Sequence, residues 1–244
     1  MLWARLATVF LFSAISFAQQ LPAGVALPIM LSSDLNAKKD AAGKKVEGKV
    51  MQEVPLLSGQ ISKGARITGH IVNVSKPGGS GSAITLKFDS IQDGSRTIPL
   101  NVELIALASM TSVADAQSPI NNTGTSQDSS DSWVTRQVGG DLVNRGQHTA
   151  GSPGGAVGTW LEGTSVLMRL TPNPDAGCPD VPGYKAVQAV WIFSSAACGT
   201  YGFDDVVVTS SGAESPVGEI SLGSSGNVNV RGGSGWLLMT VAGR

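Results

Sequence analysis

The sequence predicts an all-β fold: an antiparallel β-barrel or sandwich with a long inserted loop region and a second small β subregion. Three observations carry this. Apolar and polar residues alternate through one segment after another, the period of strands with one buried face. Turn formers separate the segments, and Gly alone accounts for 31 of 244 residues, which suits tight reversals. After residue 20, no segment carries the 3.6-residue apolar period of an amphipathic helix.

The chain opens on MLWARLATVFLFSAISFAQQ. Arg5 is a positive start, residues 6–17 are an apolar run, and Ser16 and Ala18 are small residues where a signal peptidase reads them. Residues 1–18 therefore read as a signal peptide, cleaved near Ala18. The mature chain would begin at Gln19 and be extracytoplasmic: periplasmic, outer-membrane-associated or secreted. The alternative, an uncleaved anchor, needs about 20 apolar residues, more than this run supplies. No transmembrane segment is expected in the mature chain.

Residues 19–108 read as a β-barrel domain. RITGHIVNV (66–74) places Ile67, Gly69 and Ile71 on one face. AITLKFDSI (83–91) turns Ile84, Leu86 and Phe88 inward and Thr85, Lys87 and Asp89 outward. TIPLNVELIAL (97–107) is expected as one further strand, with Ile98, Leu100, Val102 and Leu104 inward. QDGSR (92–96) carries the Asp-Gly hairpin signature, and KPGGSGS (76–82) reads as a longer loop. NAKKDAAGKKVEGK (36–49) is the one basic cluster. It is either a solvated segment that keeps a sheet edge polar or a contact for lipid headgroups or acidic glycans.

Residues 109–155, rich in Ser, Gly, Asn, Asp and Thr, read as a flexible excursion. Residues 156–215 read as a second β region, with a hairpin over Glu162–Gly163 and a strand at VQAVWIF (187–193). Residues 216–244 are expected to complete the N-terminal barrel: VRGGSGWLLMTV (230–241) repeats the Gly-turn-then-strand pattern of ISKGARITGHIV (61–72) and not that of the middle region.

Cys178 and Cys198 are the two cysteines of the chain. In an exported protein two cysteines usually pair, and closing a loop of about 20 residues stabilises by about 3 kcal/mol in the chain-entropy view. The bridge would staple a turn-rich loop to the far end of a strand. The alternatives are two free, buried thiols or a nucleophilic thiol, which needs a base; the two histidines are His70, in an alternating strand, and His148, in a Gly- and Ser-rich stretch.

The stretches LPAG (21–24), KGARITGHI (63–71), LKFDSI (86–91) and WIFSSAACGTYGF (191–203) resemble a group of secreted proteins of Acidobacteria-type soil bacteria. The N-terminal part also remotely resembles the β-barrel of TrbI-type conjugation and type IV secretion proteins. The resemblance implies a barrel fold and an envelope location, and no catalytic residues. It does not extend to a working secretion-channel subunit, because no membrane anchor or Pro-rich stalk is expected in the mature chain.

A net charge of −1 and 14% charged residues, against about 25% in typical domains, give no basic footprint for nucleic acid. HExxH, GxSxG, P-loop and GxGxxG patterns are all missing. No catalytic residue, metal site or cofactor is predicted. Asp175 and Asp180 beside Cys178, and the Asp204–Asp205 pair, are the carboxylates a calcium site or a glycosidase would use. Trp191 and Trp236 sit in apolar strands and are assigned to the core, which leaves Trp133 and Trp160 as the candidate ligand-binding aromatics. The reading is a non-enzymatic envelope protein that acts by structure or binding, its partners envelope proteins or surface polysaccharide. A carbohydrate-binding module and a secreted hydrolase with an unfamiliar site are the alternatives.

Overall fold

The long alternating segments become long strands. A computed structural model of the chain describes residues 21–56, 59–117, 133–139, 142–145, 149–152, 155–159, 167–168, 188–189, 191–193 and 197–242. In chain order the first nine strands are β1 (Ala26–Leu31), β2 (Leu35–Asn36), β3 (Lys45–Val50), β4 (Val54–Pro55), β5 (Gln60–Ile61), β6 (Arg66–Gly78), β7 (Gly81–Asp93), β8 (Arg96–Pro99) and β9 (Val102–Ala108). Helix α1 (Met110–Gln117) follows, then β10 (Trp133–Arg136), β11 (Leu142–Arg145), β12 (Thr149–Ser152), β13 (Gly155–Thr159), β14 (Leu167–Met168) and β15 (Gln188–Ala189). The chain ends with β16 (Gly199–Tyr201), β17 (Val206–Ser210), β18 (Glu219–Ser224), β19 (Asn229–Val230) and β20 (Gly235–Thr240).

The main sheet runs in the order β16-β9-β20-β1-β3-β6-β7-β18-β17, with β8 added on β7. Its pairings are antiparallel except for β16 on β9. The sheet nearly closes on itself as a barrel. The Leu104 N–H on β9 donates to the Ser211 carbonyl just past β17 at 2.7 Å. A Cβ at Gly212 would stand 3.1 Å from the Val102 carbonyl oxygen, so the glycine permits that approach. β10 to β13 form a separate four-stranded sheet, and β14 pairs with β15.

The barrel interior is filled by the inward halves of the alternating strands. Ile67, Ile71, Ile84, Leu86 and Phe88 are fully buried, as the alternation required. Phe88 meets Trp236 edge-to-face, centroids 5.8 Å apart and planes at 88°, a preferred aromatic geometry. Gly69 lets the backbones of β6 and β7 approach closely here. A Cβ there would lie 2.1 Å from the Lys87 carbonyl oxygen and 2.8 Å from the Phe88 Cα, and the register of β6 against β7 shifts between Thr68 and Gly69. A β-bulge of this kind sharpens local twist and lets the barrel turn.

Strands β1, β20 and β9 are buried along nearly their whole length because the sheet is covered on both sides there. Leu27, Leu104, Trp236 and Leu238 face the barrel core. Ala26, Ala106, Ala108 and Leu237 face a second apolar cluster, built from Val113 and Ala116 of α1 with Val138, Ile192 and Phe193. β20 lies between β1 and β9, with Ala26 opposite Met239 and Leu107 opposite Trp236. β19 pairs with β2.

Four local expectations are corrected. The segment 97–107 is two strands: β8 ends at Pro99, which has no N–H to extend the ladder, and β9 then crosses to pair with β20. The reversal at 76–82 is tight rather than a long loop, because β6 and β7 run on until Gly78 pairs with Gly81. Helix α1 stands where the sequence suggests only a loop; just Val113 and Ala116 of its eight residues are buried, too narrow a stripe to register as a period. The strand expected over 187–193 stops early. Trp191 takes a left-handed turn, φ 58°, and Phe193 makes a lone parallel bridge to Val138. The fully buried Gln52 drives this by accepting the Trp191 N–H through its Oε1, a tertiary contact that overrides strand propensity. Trp191 is therefore a half-buried flank of the second cluster. Glu162 and Gly163 lie outside the described residues; β13 pairs with β12, and β14 with β15.

Candidate functional site

Three remote segments meet in a polar cleft of about 510 Å³ at one end of the barrel. They are the β9–α1 junction, the β16–β17 connection and the run from β19 to β20. Met110, Phe203, Asp204, Asp205, Asn229 and Arg231 are among its walls.

Each wall is fixed by local chemistry. Ser109 caps α1: its Oγ accepts the Ser112 N–H at 3.1 Å, the usual role of a serine before a helix. The Ser109 N–H in turn donates to the Tyr201 carbonyl at 2.9 Å, which locks the cap to the end of β16. Gly202 must be glycine at this join. Its φ is +70°, and a Cβ would stand 2.2 Å from the Ser112 Oγ. The following Asp205 accepts a hydrogen bond from the Ser224 hydroxyl at 2.6 Å, and the Ser224 Oγ accepts the Gly226 N–H at 3.0 Å. These two bonds fasten the acidic turn to the end of β18.

The third wall follows from alternation in NVNVR. Val228 and Val230 are fully buried, so Asn227, Asn229 and Arg231 fall on the other face and reach the cleft. Asn36 orders the amides. It accepts from the Asn227 Nδ2 and donates to the Asn229 Oδ1, each at 3.4 Å, while the Asn227 Oδ1 accepts the Lys38 N–H at 3.1 Å. The cleft thus presents carboxylates, amides and one guanidinium, beside the exposed Met110 and the half-buried Phe203, which packs against the barrel core.

Two titrating groups are perturbed by burial, Tyr201 at the cleft end of β9 and Glu103 at the opposite end. Burial pushes the Tyr201 phenol up, partly offset by the Cys198 N–H that donates to its oxygen at 3.2 Å. It also raises Glu103 on β9, against a hydrogen bond from Ser211.

The structure brings the Asp204–Asp205 pair into the cleft. It places His70 elsewhere, on the outer face of β6, where its Nδ1 lies 2.9 Å from the Asp89 Oδ2 in an exposed cross-strand pair. Cys198, just before β16, is not a free thiol; Cys178 lies outside the described residues. Trp133 opens β10 opposite Arg145, and its side chain is outside the description, as are Trp160, His148, Asp175 and Asp180. The sequence reading missed Asn227, Asn229 and Arg231, although their spacing of two was visible. Among the described residues, no three His, Cys, Asp or Glu side chains gather as a metal site, and no helix is long and apolar enough to cross a membrane. No protein-family model matches the chain, and no curated protein matches it.

Proposed function

We propose that the chain is an extracytoplasmic, non-enzymatic envelope protein that acts by binding surface polysaccharide in the cleft beside Asp204 and Asp205. The supporting observation is the cleft's polar inventory. Sugar hydroxyls both donate and accept, and they suit a wall of carboxylates, amides and a guanidinium, with Met110 and Phe203 for the apolar face of a ring. The barrel interior is a packed core, which leaves the outer surface to carry recognition. Binding is favoured over catalysis because the polar groups are engaged as fixed acceptors and donors: Asp205 with Ser224, and Asn227 and Asn229 with Asn36.

Titration of neutral glucan and peptidoglycan fragments by calorimetry is the test. An Asn229→Ala/Arg231→Ala variant should lose affinity by about tenfold or more, the scale of two lost polar contacts, with its melting temperature held. Equal affinity would remove the cleft from the reading. Release of reducing ends, abolished by Asp204→Asn, would make the protein a hydrolase instead.

The envelope address rests on the N-terminal leader and on the resemblance to TrbI-type barrels. Mass spectrometry of protein isolated from the envelope is expected to find a chain beginning at Gln19. Non-reducing digestion is expected to yield a peptide pair joining Cys178 to Cys198. Retained Met1, or free thiols on both cysteines, would overturn these assignments.

A further inference from the structure

The outer face of β3, β6 and β7 holds an arrangement the sheet does not need. Lys49 lies directly opposite Arg66, and Arg66 directly opposite Gln92, all three exposed. Like charges directly opposed across strands destabilise a sheet. Among the described residues no carboxylate forms an ion pair with Lys49 or Arg66. Glu47, on the same face of β3, is taken by Lys45 at 2.7 Å, with Arg66 a lesser influence on it.

Two turns rise beside this row, Ser62–Lys63–Gly64 before β6 and Gly94–Ser95 between β7 and β8, and they make it the floor of an open groove of about 800 Å³. Four of the eleven lining residues are cations: Lys49, Lys63, Arg66 and Arg96. The single lining carboxylate is already matched. Asp93 is nearly buried and ion-pairs with Arg96, whose guanidinium also donates to the Gln60 carbonyl at 2.9 Å. Burial pushes Asp93 up, but hydrogen bonds from Ser62 and Arg96 outweigh it and hold the carboxyl below its ordinary range. Lys49 and Arg66 therefore leave the groove a positive excess in a chain whose net charge is −1.

We infer that this groove is a second binding site, separate from the cleft, and that it takes an acidic glycan: a run of sugars bearing carboxylate or sulfate groups. The volume is that of an oligosaccharide-sized ligand, far more than one small oxyanion needs. Ser95 adds a hydroxyl to the lining, while the Gln92 amide is held by the Gly94 carbonyl and the Thr97 hydroxyl, so the cations are what a ligand would meet first. Ala65 is the one apolar side chain of the lining, so there is no slot for a lipid tail and no ring on which a nucleobase would stack. The basic cluster at 36–49 divides: Lys38 and Lys39 are exposed and outside the groove. Lys44 is held by Asp40 and Lys45 by Glu47, and Lys49 is the member that reaches the groove.

The test is calorimetric titration of the full chain with oligogalacturonate, with neutral dextran, inorganic phosphate and phosphatidylglycerol vesicles as the other arms. Oligogalacturonate should bind, and affinity should fall as salt rises, since charges on an exposed face are screened. Lys49→Gln/Arg66→Gln should weaken it by about tenfold or more, the effect of two lost charge contacts, while the melting temperature holds or rises as the repulsion is relieved. An Asn229→Ala/Arg231→Ala variant should bind oligogalacturonate normally, which keeps this site distinct from the cleft. Unchanged affinity in the double variant would overturn the inference. So would preference for vesicles, displacement of the glycan by millimolar phosphate, or dextran binding as tight as oligogalacturonate in the Asn229→Ala/Arg231→Ala variant, whose cleft is disabled.

Discussion

Deleting residues 216–244 is expected to leave a chain that does not fold. The segment carries β18, β19 and β20, and two of these are interior to the main sheet: β20 between β1 and β9, and β18 between β7 and β17. Their loss would strip one ladder from each of β1, β9, β7 and β17 and expose long apolar edges, which exported β proteins avoid. It would also remove Ile220, Leu222, Trp236 and Leu238, all fully buried. Each is worth roughly 1.5–3 kcal/mol of burial, against a total stability of about 5–15 kcal/mol. Circular dichroism melts of the 19–244 and 19–215 chains decide the matter. A shortened chain that melts cooperatively at the full-length temperature would show that the N-terminal strands stand alone.

Trp236→Ala is expected to be the most damaging single substitution in the core, costing about 3–5 kcal/mol. It empties the centre of the barrel and ends the edge-to-face contact with Phe88. Trp236→Phe should cost far less. Among the described residues the buried indole N–H has no hydrogen-bond partner, so phenylalanine gives up no such bond and keeps a ring against Phe88. Urea unfolding of the two variants separates these effects. If Phe proves as costly as Ala, the indole is needed for its second ring or its N–H, and a single ring against Phe88 does not hold the barrel centre.

The strand faces were legible in the sequence where burial is one-sided. Ile84, Leu86 and Phe88 point inward and Lys87 and Asp89 outward, because a strand with water on one side must alternate. Legibility fell where the sheet is covered twice. The alternation runs on from β8 into β9, and nothing local says where the chain leaves β7 for β20. Helix α1 hid because it contributes only Val113 and Ala116 to the cover over β9 and β20, the rest coming from Val138, Ile192 and Phe193. The cleft was half visible: Asp204 and Asp205 stand out as an acidic pair, while Asn229 and Arg231 join them only once β19 is placed beside β2. Of the groove only Lys49 was legible, as the end of the basic cluster, since register sets it against Arg66 across 17 positions of chain and no local pattern records register.

The neighbouring of β1 and β20 has a consequence in time. The Val25 N–H donates to the Thr240 hydroxyl across 215 positions, so the first strand waits for almost the last residues before one of its two ladders exists. Closing so long a loop must precede the contacts that reward it, which makes such topologies slow. A ribosome delivers β1 long before β20. Throughout that interval β1 keeps one open flank and the outer apolar faces of β1 and β9 lack their third strand. The barrel therefore closes late, when β20 arrives between β1 and β9.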